Sequence, residues 1–232
     1  MYAKNLDTGK EVVVDKLEDV DAKAMPRGTN FAIWGNNIVW TPVRDTKEGK
    51  IVSEVVVENL AKGEKKVIAK SAWPEAMRYV DIYKNYVVWS KGSQADGKPR
   101  ANVYLYDLSS GQTVQLTKDD ISWWPRIYGK YIVWRQGFYD YGPIVIEKRE
   151  ETGYRYRLSM KGRWLRLGDG LLLFIGPDGT EYVYDLDQNT IQPLPVLGAG
   201  ICGRNVSFTV ERPSSESPVY RHGTIEVRVY ER

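Results

Sequence analysis

The chain repeats one pattern, and the copy that decides the fold is Pro125-Arg126-Ile127-Tyr128-Gly129-Lys130-Tyr131-Ile132-Val133-Trp134, which reads as strand, tight glycine turn, strand. Further copies lie at 33–40, 82–89, 167–174 and 202–209. Apolar and polar residues alternate with a period of two nearly everywhere, and no window of a dozen residues keeps apolar residues at helical spacing. The pattern therefore indicates an all-β repeat.

The length of the repeat indicates the architecture. The corresponding turn positions Trp34, Tyr83, Tyr128, Gly168 and Gly203 are separated by 49, 45, 40 and 35 residues. A second pattern of alternating strand, turn and short strand follows the hairpins, most clearly at 103–117 and again at 55–69 and 182–190. One unit is thus four strands in about 40 residues, the size of a propeller blade.

The two ends of the chain complement each other. Residues 2–14 match only the second half of a unit, and the last unit stops at 224–232, before its final turn. We therefore predict an all-β fold, a single β-propeller of five four-stranded blades over 1–232, closed by the N-terminal strand completing the C-terminal blade, which removes open sheet edges. The blades are marked at 31–69, 80–117, 125–159, 165–195 and 200–232 plus 1–14. The alternative is a segment of a longer array with another blade number.

Composition and charge argue against several classes of partner and environment. The 33 basic and 30 acidic residues give a net charge of +3, and the densest charge runs, 62–66 and 147–151, mix both signs, so we expect no nucleic-acid partner. The single cysteine, Cys202, allows no intrachain disulfide. The longest strongly apolar run, 171–175, is far short of the ~20 residues that span a membrane, so we expect no membrane insertion. We expect a monomer, extracellular or on the cell surface if a signal peptide was removed and cytoplasmic otherwise.

At this point the residues resemble a known family. Pro125 with Ile-Tyr-Gly and Ile-Val-Trp in 125–134, together with Val-Tyr-Leu-Tyr-Asp-Leu-Ser-Ser-Gly-Gln at 103–112 and Gln-Leu-Thr at 115–117, resembles the TolB-like β-propeller repeat, in the variant found on archaeal and bacterial cell-surface proteins. The likeness spans nearly the whole chain, and the fourth and fifth units keep only its skeleton. The familiar Ser-Pro-Asp-Gly turn is missing, apart from Gly-Pro-Asp-Gly at 176–179, elsewhere in the unit. The resemblance implies a WD40-like propeller, mostly an interaction module and in a minority of members an enzyme.

In such a propeller the first strand of each blade lines the central channel, and two sets of loops form the face that usually binds ligands. The loops that enter the first strands are predicted at 15–30, 70–79, 118–124, 159–164 and 195–199. The loops between second and third strands are predicted at 41–53, 90–101, 135–143, 175–180 and 211–223.

Tryptophans recur in the entering loops. Trp73-Pro74 and Trp124-Pro125 share a motif, and Trp164 lies at a comparable place. They either form a partial ring at the channel mouth that stacks on sugars or apolar partners, or wedge between blades as a repeated structural residue. Trp123 is interpreted as unrepeated, which favours it over Trp124 as a ligand contact.

The aromatic residue that ends each second strand is predicted to pack in the core, because it is periodic and lies in an apolar strand. These residues are Trp40, Trp89, Trp134 and Phe174. The loop 135–143 does not repeat, and it combines aromatic residues with an arginine and an aspartate, the usual anchors of interfaces. Its candidate ligand contacts are Arg135, Phe138, Tyr139, Asp140 and Tyr141.

Signals for catalysis are sparse. The single histidine, His222, lies in a polar loop without a serine or cysteine motif, and the chain has neither Cys/His metal spacing nor a Gly-rich phosphate loop. Carboxylates placed for a glycosidase are Glu75, Asp119, Asp120 and Asp140. Calcium could bind at Asp119, Asp120 and Asp140, but these residues lack the loop signature of a calcium-binding motif. We expect no enzyme, no cofactor and no metal.

We therefore expect a non-enzymatic binding or scaffold module that mediates protein or cell-surface interactions through one loop face. The first alternative is a glycan-binding lectin that uses channel-mouth Trp and Tyr residues, and the second is a glycoside hydrolase with channel-mouth carboxylates. The candidate binding residues are Trp73, Trp123, Trp124, Arg135, Phe138, Tyr139, Asp140, Tyr141 and Trp164.

Overall fold

The computed structural model describes residues 2–4, 9, 11–14, 30–45, 50–93, 97–138, 141–149, 154–194, 199–202, 205–207, 209–210 and 226–227. Within these residues the structure is built from antiparallel strands and contains no α-helix. Tyr139, Asp140, His222, the predicted loop 211–223 and all but the last residue of the predicted loop 15–30 lie outside the described residues. The chain divides into two compact units, 1–123 and 124–232.

The first unit contains a hairpin and two larger sheets. The hairpin is formed by β1 (Tyr2–Lys4) and β2 (Glu11–Val13). The five-stranded sheet contains β3 (Phe31–Trp34), β4 (Asn37–Trp40), β5 (Val43–Asp45), β6 (Ile51–Asn59) and β7 (Glu64–Ala72), with β6 paired to β4, β5 and β7. The four-stranded sheet follows chain order through β8 (Glu75–Tyr83), β9 (Tyr86–Ser93), β10 (Arg100–Asp107) and β11 (Gln112–Gln115).

The core of the first unit lies where these sheets pack together. Val39 and Val57 of the five-stranded sheet form one buried cluster with Ile82, Val87 and Trp89 of the four-stranded sheet. Trp40 is fully buried in a second cluster, which includes Val14 after the N-terminal hairpin. Apolar and polar residues alternate in the sequence because each of these strands buries one face and exposes the other.

A seven-stranded sheet dominates the second unit. It contains β12 (Ser122–Tyr128), β13 (Tyr131–Gln136), β14 (Gly142–Lys148), β15 (Arg155–Leu167), β16 (Leu171–Ile175), β17 (Glu181–Asp185) and β18 (Thr190–Pro193), in chain order. Two further pairs are β19 (Gly200–Cys202) with β20 (Asn205–Ser207), and β21 (Thr209–Val210) with β22 (Glu226–Val227). Trp134 and Phe174 are buried, so all four strand-ending aromatics pack in cores, as predicted.

Strand β15 joins two four-stranded groups. Its first half pairs with β14, and its last residues, from Arg163 on, pair with β16. The loop predicted at 159–164 is therefore wrong, because the strand continues and changes partner between Gly162 and Arg163, just before a register shift between Arg163 and Arg166. The loop predicted at 70–79 is likewise mostly strand, since only Trp73 and Pro74 connect β7 to β8.

Three hairpin turns share the same chemistry. Gly63, Gly111 and Asn189 supply the positive φ angles, at 70°, 71° and 57°. The preceding Asp107 accepts a hydrogen bond from the Ser109 amide, at 2.8 Å, and Asn59 and Asp185 accept equivalent bonds from the amides two residues on. Side chains that satisfy turn amides in this way fix where each hairpin reverses.

Pairing between the chain ends stays a prediction. In the part of the chain that the structure describes, β1 pairs with β2 and β21 pairs with β22. No helix of that part is long and apolar enough to span a membrane.

Candidate functional site

Three of the first strands contain an aromatic residue in the left-handed backbone region. These residues are Tyr79 in β8, Trp124 in β12 and Trp164 in β15, with φ angles of 56°, 54° and 54°. In β8 and β15 the strand register shifts at the same point. A residue with a β-carbon seldom adopts this conformation, and a bulge redirects the side chain that it contains.

In the second unit two of these aromatic residues lie against arginines. The Cζ atom of Arg135 lies 3.9 Å from the ring centroid of Trp124. The Cζ atom of Arg163 lies 4.7 Å from the ring of Tyr141 and 4.8 Å from the ring of Trp164. Trp124, Arg135, Tyr141, Arg163 and Trp164 are called the arginine–aromatic cluster below. Distances of this size give favourable cation–π contacts.

Strand pairing places the strands that carry the cluster side by side. Arg135 near the end of β13 pairs with Ile144 of β14, and Gly142 at the start of β14 pairs with Gly162 of β15. Tyr141 directly precedes Gly142, and Arg163 directly follows Gly162. The backbones approach closely here, since a β-carbon on Gly142 would lie 1.9 Å from the Gln136 carbonyl oxygen. Only glycine fits at this position.

The two arginines differ in burial. Arg135 is 4% exposed and lies over the face of the Trp124 ring, so its role is to support that ring. Arg163 is half-buried, and its Nε atom is buried without a hydrogen-bond partner. Trp164 is 58% exposed, although it lies on a strained backbone. An exposed aromatic ring held in a strained conformation is a feature of ligand sites.

The other predicted contacts lie elsewhere. Trp73 is 50% exposed in the β7–β8 turn and does not occupy the position of Trp124, whose equivalent in that blade is Tyr79. Phe138 is half-buried, two residues after β13. Tyr139 and Asp140 lie outside the described residues.

Trp123, favoured above as a ligand contact, is a core residue. It is 7% exposed, and its ring lies edge-on to Tyr79 at 6.3 Å. A β-carbon on Gly92 would lie 2.9 Å from its Cη2 atom, so the ring fills the space that this glycine leaves. Its position also recurs, because Arg78 and Arg163 likewise precede the left-handed aromatic residues.

The described candidate carboxylates are engaged in local structure. Glu75 forms an ion pair with Lys91 at 2.6 Å. Asp119 accepts hydrogen bonds from Ser122 Oγ at 2.8 Å and from the Ile121 amide at 3.1 Å. Asp120 accepts a bond from Asn102 Nδ2 at 2.6 Å. Across the described residues no group of three or more His, Cys, Asp or Glu side chains could hold a metal.

The sequence interpretation missed Arg163. A signal was present, because an aromatic residue preceded by an arginine lies ten residues before Trp89 and again ten residues before Phe174, as Arg78-Tyr79 and Arg163-Trp164. Aligning the blades on their strand-ending aromatics, rather than on the Trp-Pro motif, would have found it.

No family model matches the chain, and no curated protein matches it. Among solved structures, acylaminoacyl peptidase from Pyrococcus horikoshii is similar with a TM-score of 0.60 at 14% identity, over 90% of this chain and 37% of that one. The β-propeller domain of the Trilobed protease from Pyrococcus furiosus, described as having an open velcro topology, is similar with a TM-score of 0.57 at 11% identity. The match covers 87% of this chain and 69% of that one. TolB from Acinetobacter baumannii is similar with a TM-score of 0.53 at 16% identity, over 78% of this chain and 48% of that one.

The chain spans well under two thirds of the peptidase and of TolB, and identities this low concern the fold alone. The three structures come from a peptidase, a protease domain described as a β-propeller and TolB, and a shared fold does not assign a function. Together with the antiparallel sheets, they show that the chain has a β-propeller-type fold.

Proposed function

We propose that this chain is a non-enzymatic binding module that holds a protein ligand at the arginine–aromatic cluster. The observation that carries the proposal is Trp164, which is largely exposed on a left-handed backbone, with the Arg163 guanidinium over its ring and over that of Tyr141. Tryptophan, tyrosine and arginine dominate the binding energy of protein interfaces. A monomer at the cell surface is the setting that we propose for it.

A propeller of five blades, closed by the N-terminal strand, is the scaffold that we propose for this surface. The four complete strand groups of the described residues and the partial fifth support the blade number. The open velcro topology described for the P. furiosus protease domain offers the alternative, a ring without that closing strand.

A glycan ligand is the second candidate. The exposed rings of Trp73 and Trp164 favour it, because sugar faces stack on uncovered aromatic rings. A protein ligand is preferred because a guanidinium lies over the ring of each of Trp124, Tyr141 and Trp164. Less of the ring surface is therefore left for a sugar to stack on.

A glycoside hydrolase is the least supported candidate. Glycosidases need two carboxyl groups about 5–10 Å apart and available to the substrate. Glu75, Asp119 and Asp120 instead stabilise an ion pair or a turn. The enzyme neighbours do not strengthen this candidate, since the match to them concerns the fold alone.

The test is a binding screen with an exposed aromatic variant. A displayed peptide library and a glycan array are probed with the wild type and with Trp164→Ala, which removes a ring that is mostly in solvent. Tyr154→Ala is the control, because Tyr154 is a half-exposed aromatic residue just before β15, away from the cluster. We expect peptide ligands whose affinity falls about tenfold or more in Trp164→Ala and is unchanged in Tyr154→Ala.

Two results would contradict the proposal. Binding of glycans alone, measured as quenching of tryptophan fluorescence and lost in Trp164→Ala, would establish the lectin. Peptide binding that Trp164→Ala leaves intact would move the site away from the cluster.

A further inference from the structure

We propose that Arg163 binds a carboxylate of the peptide ligand, so that this surface recognises acidic peptides. The inference rests on the proposed function and adds to it the chemistry of the ligand. Three observations carry it: the stacking of Arg163, the absence of an ion-pair partner among the described residues, and the contrast with the other arginines of β15.

Stacking prepares Arg163 for a planar anion. Its Cζ atom lies 4.7 Å from the centroid of the Tyr141 ring and 4.8 Å from that of the Trp164 ring, and a guanidinium that stacks on aromatic rings keeps its edge for hydrogen bonds. The N–H donors point along the edge of the guanidinium plane, in the fork that matches a carboxylate. Contact with the rings also limits the rotamer freedom that would be lost on binding.

The other arginines of the strand show what Arg163 lacks. Arg155 forms an ion pair with Glu147 at 2.5 Å, and Arg166 forms one with the buried Glu181. No such carboxylate pairs with Arg163 in the described part of the chain, and this separates it from Arg166, although the Nε atoms of both arginines are buried without a hydrogen-bond partner there. An incoming carboxylate would therefore meet a guanidinium that has no carboxylate partner among the described residues.

The cluster has a matching charge. Arg163 brings a positive charge to the surface beside Trp164, and neither Tyr141 nor Trp164 is acidic. An extended peptide with Asp or Glu side chains fits better than an acidic sugar, because the guanidiniums already cover ring faces that a sugar would use. A free C-terminal carboxylate has the same chemistry, so the experiment separates it from acidic side chains.

The experiment uses four sets of synthetic probes against the purified full chain. The first are C-terminally amidated peptides with Asp or Glu, and the second are the same peptides with Asn or Gln. The third are neutral peptides with a free C-terminal carboxylate, and the fourth are oligogalacturonates. Affinities are measured for the wild type, Arg163→Gln and Arg157→Gln, which removes an exposed arginine of the same strand.

We expect acidic peptides to bind the wild type at least about tenfold more tightly than their amide counterparts. Arg163→Gln should abolish that preference, Arg157→Gln should keep it, and added salt should weaken it. If only the free-terminus peptides show the dependence on Arg163, the carboxylate is the C-terminal one.

Other outcomes overturn the inference in distinguishable ways. Peptide binding that depends on Trp164 but not on acidic residues or Arg163 overturns this inference and keeps the proposed function. Binding of oligogalacturonates alone overturns the peptide ligand and, with it, the proposed function. If Arg163→Gln and Arg157→Gln lose the preference for acidic peptides equally, the preference comes from the overall positive charge of the surface and not from Arg163.

Discussion

Tyr79, Trp124 and Trp164 adopt the same unusual backbone conformation in three successive blades. A residue with a β-carbon in this region is less stable than glycine by roughly 1 kcal/mol. Tyr79 packs edge-on against Trp123, and Trp124 lies under Arg135, so contacts offset that cost for two of them. Trp164 is mostly exposed and has less packing to offset it, which is why we assign its ring to a ligand.

We predict that Trp164→Gly is more stable than Trp164→Ala by about 1 kcal/mol, since both remove the exposed ring and only glycine relieves the positive φ. Urea unfolding of the two variants measures the difference. The same pair at Phe31, an exposed residue without positive φ, should show the reverse order. Equal stabilities at position 164 would mean that the left-handed backbone carries no strain.

The carboxyl group of Asp178, in the hairpin between β16 and β17, gives a second prediction at this scale. It accepts a hydrogen bond from Tyr182 Oη at 2.7 Å and one from the Thr180 amide at 3.1 Å, and the Tyr182 bond, the larger cause, lowers the pKa of Asp178. Since the folded-state pKa is the lower one, these bonds stabilise the hairpin above the unfolded-state pKa and are lost as pH falls through the folded-state value.

Carboxyl NMR titration should therefore find the pKa of Asp178 below its ordinary value. Tyr182→Phe should raise that pKa partway, because the Thr180 amide still donates. An unchanged pKa in Tyr182→Phe would show that the tyrosine bond is not formed in solution. Asp107, whose pKa is lowered by bonds from Ser109, serves as the reference that should not move.

At the scale of elements, an ion pair joins β15 to β17. Glu181 is fully buried, and it accepts hydrogen bonds from Arg166 and from the Ala199 amide, the latter at 3.0 Å. We predict that Arg166→Met destabilises the protein by about 2–3 kcal/mol, because it leaves a buried carboxylate without its cation.

The double variant Arg166→Met with Glu181→Leu should recover most of that loss, since both charges are then absent. Denaturant unfolding of the single and double variants measures both steps, with Arg157→Met as an exposed control. If the double variant is no more stable than the single one, the buried carboxylate is not the source of the loss.

Sequence periodicity predicted the hairpins well but not the connections between them. The turns at 59–63, 107–111 and 185–189 follow directly from an Asx residue and a residue suited to positive φ, both local effects. The continuation of β15 through 159–164 depends on Gly142 lying opposite Gly162, which is a pairing between strands. The burial of Trp123 depends on Gly92 in the same way. A single sequence does not reveal such pairs.

The candidate site was predicted in part for the same reason. The loop 135–143 supplied Arg135 and Tyr141, because unrepeated aromatics and charges stand out against the repeat. Arg163 did not stand out, since it lies within an alternating strand and acquires its role from the bulge beside it.

At the scale of the whole molecule, the N-terminal segment gives the clearest prediction. Val14 is buried with Ile38, Trp40 and Val56, and its carbonyl oxygen accepts a hydrogen bond from Lys65 Nζ at 3.2 Å. Deleting 1–14 should lower the melting temperature by several degrees or more, because it removes this packing and, in the proposed closed ring, a strand of the last blade.

Val14→Ala separates the two contributions, since it reduces only the packing and should cost about 1–2 kcal/mol. A deletion variant that melts together with Val14→Ala would contradict closure by the N-terminal strand. A deletion variant that melts like the parent would contradict the packing as well.

The shared strand β15 has a mechanical consequence. The two strand groups of the seven-stranded sheet both depend on it, through β14 on one side and β16 on the other. Neither group can be peeled away under load without stripping its neighbour of a strand. In an optical trap this sheet should therefore rupture as a single event that lengthens the tether by on the order of 20 nm, rather than yielding blade by blade.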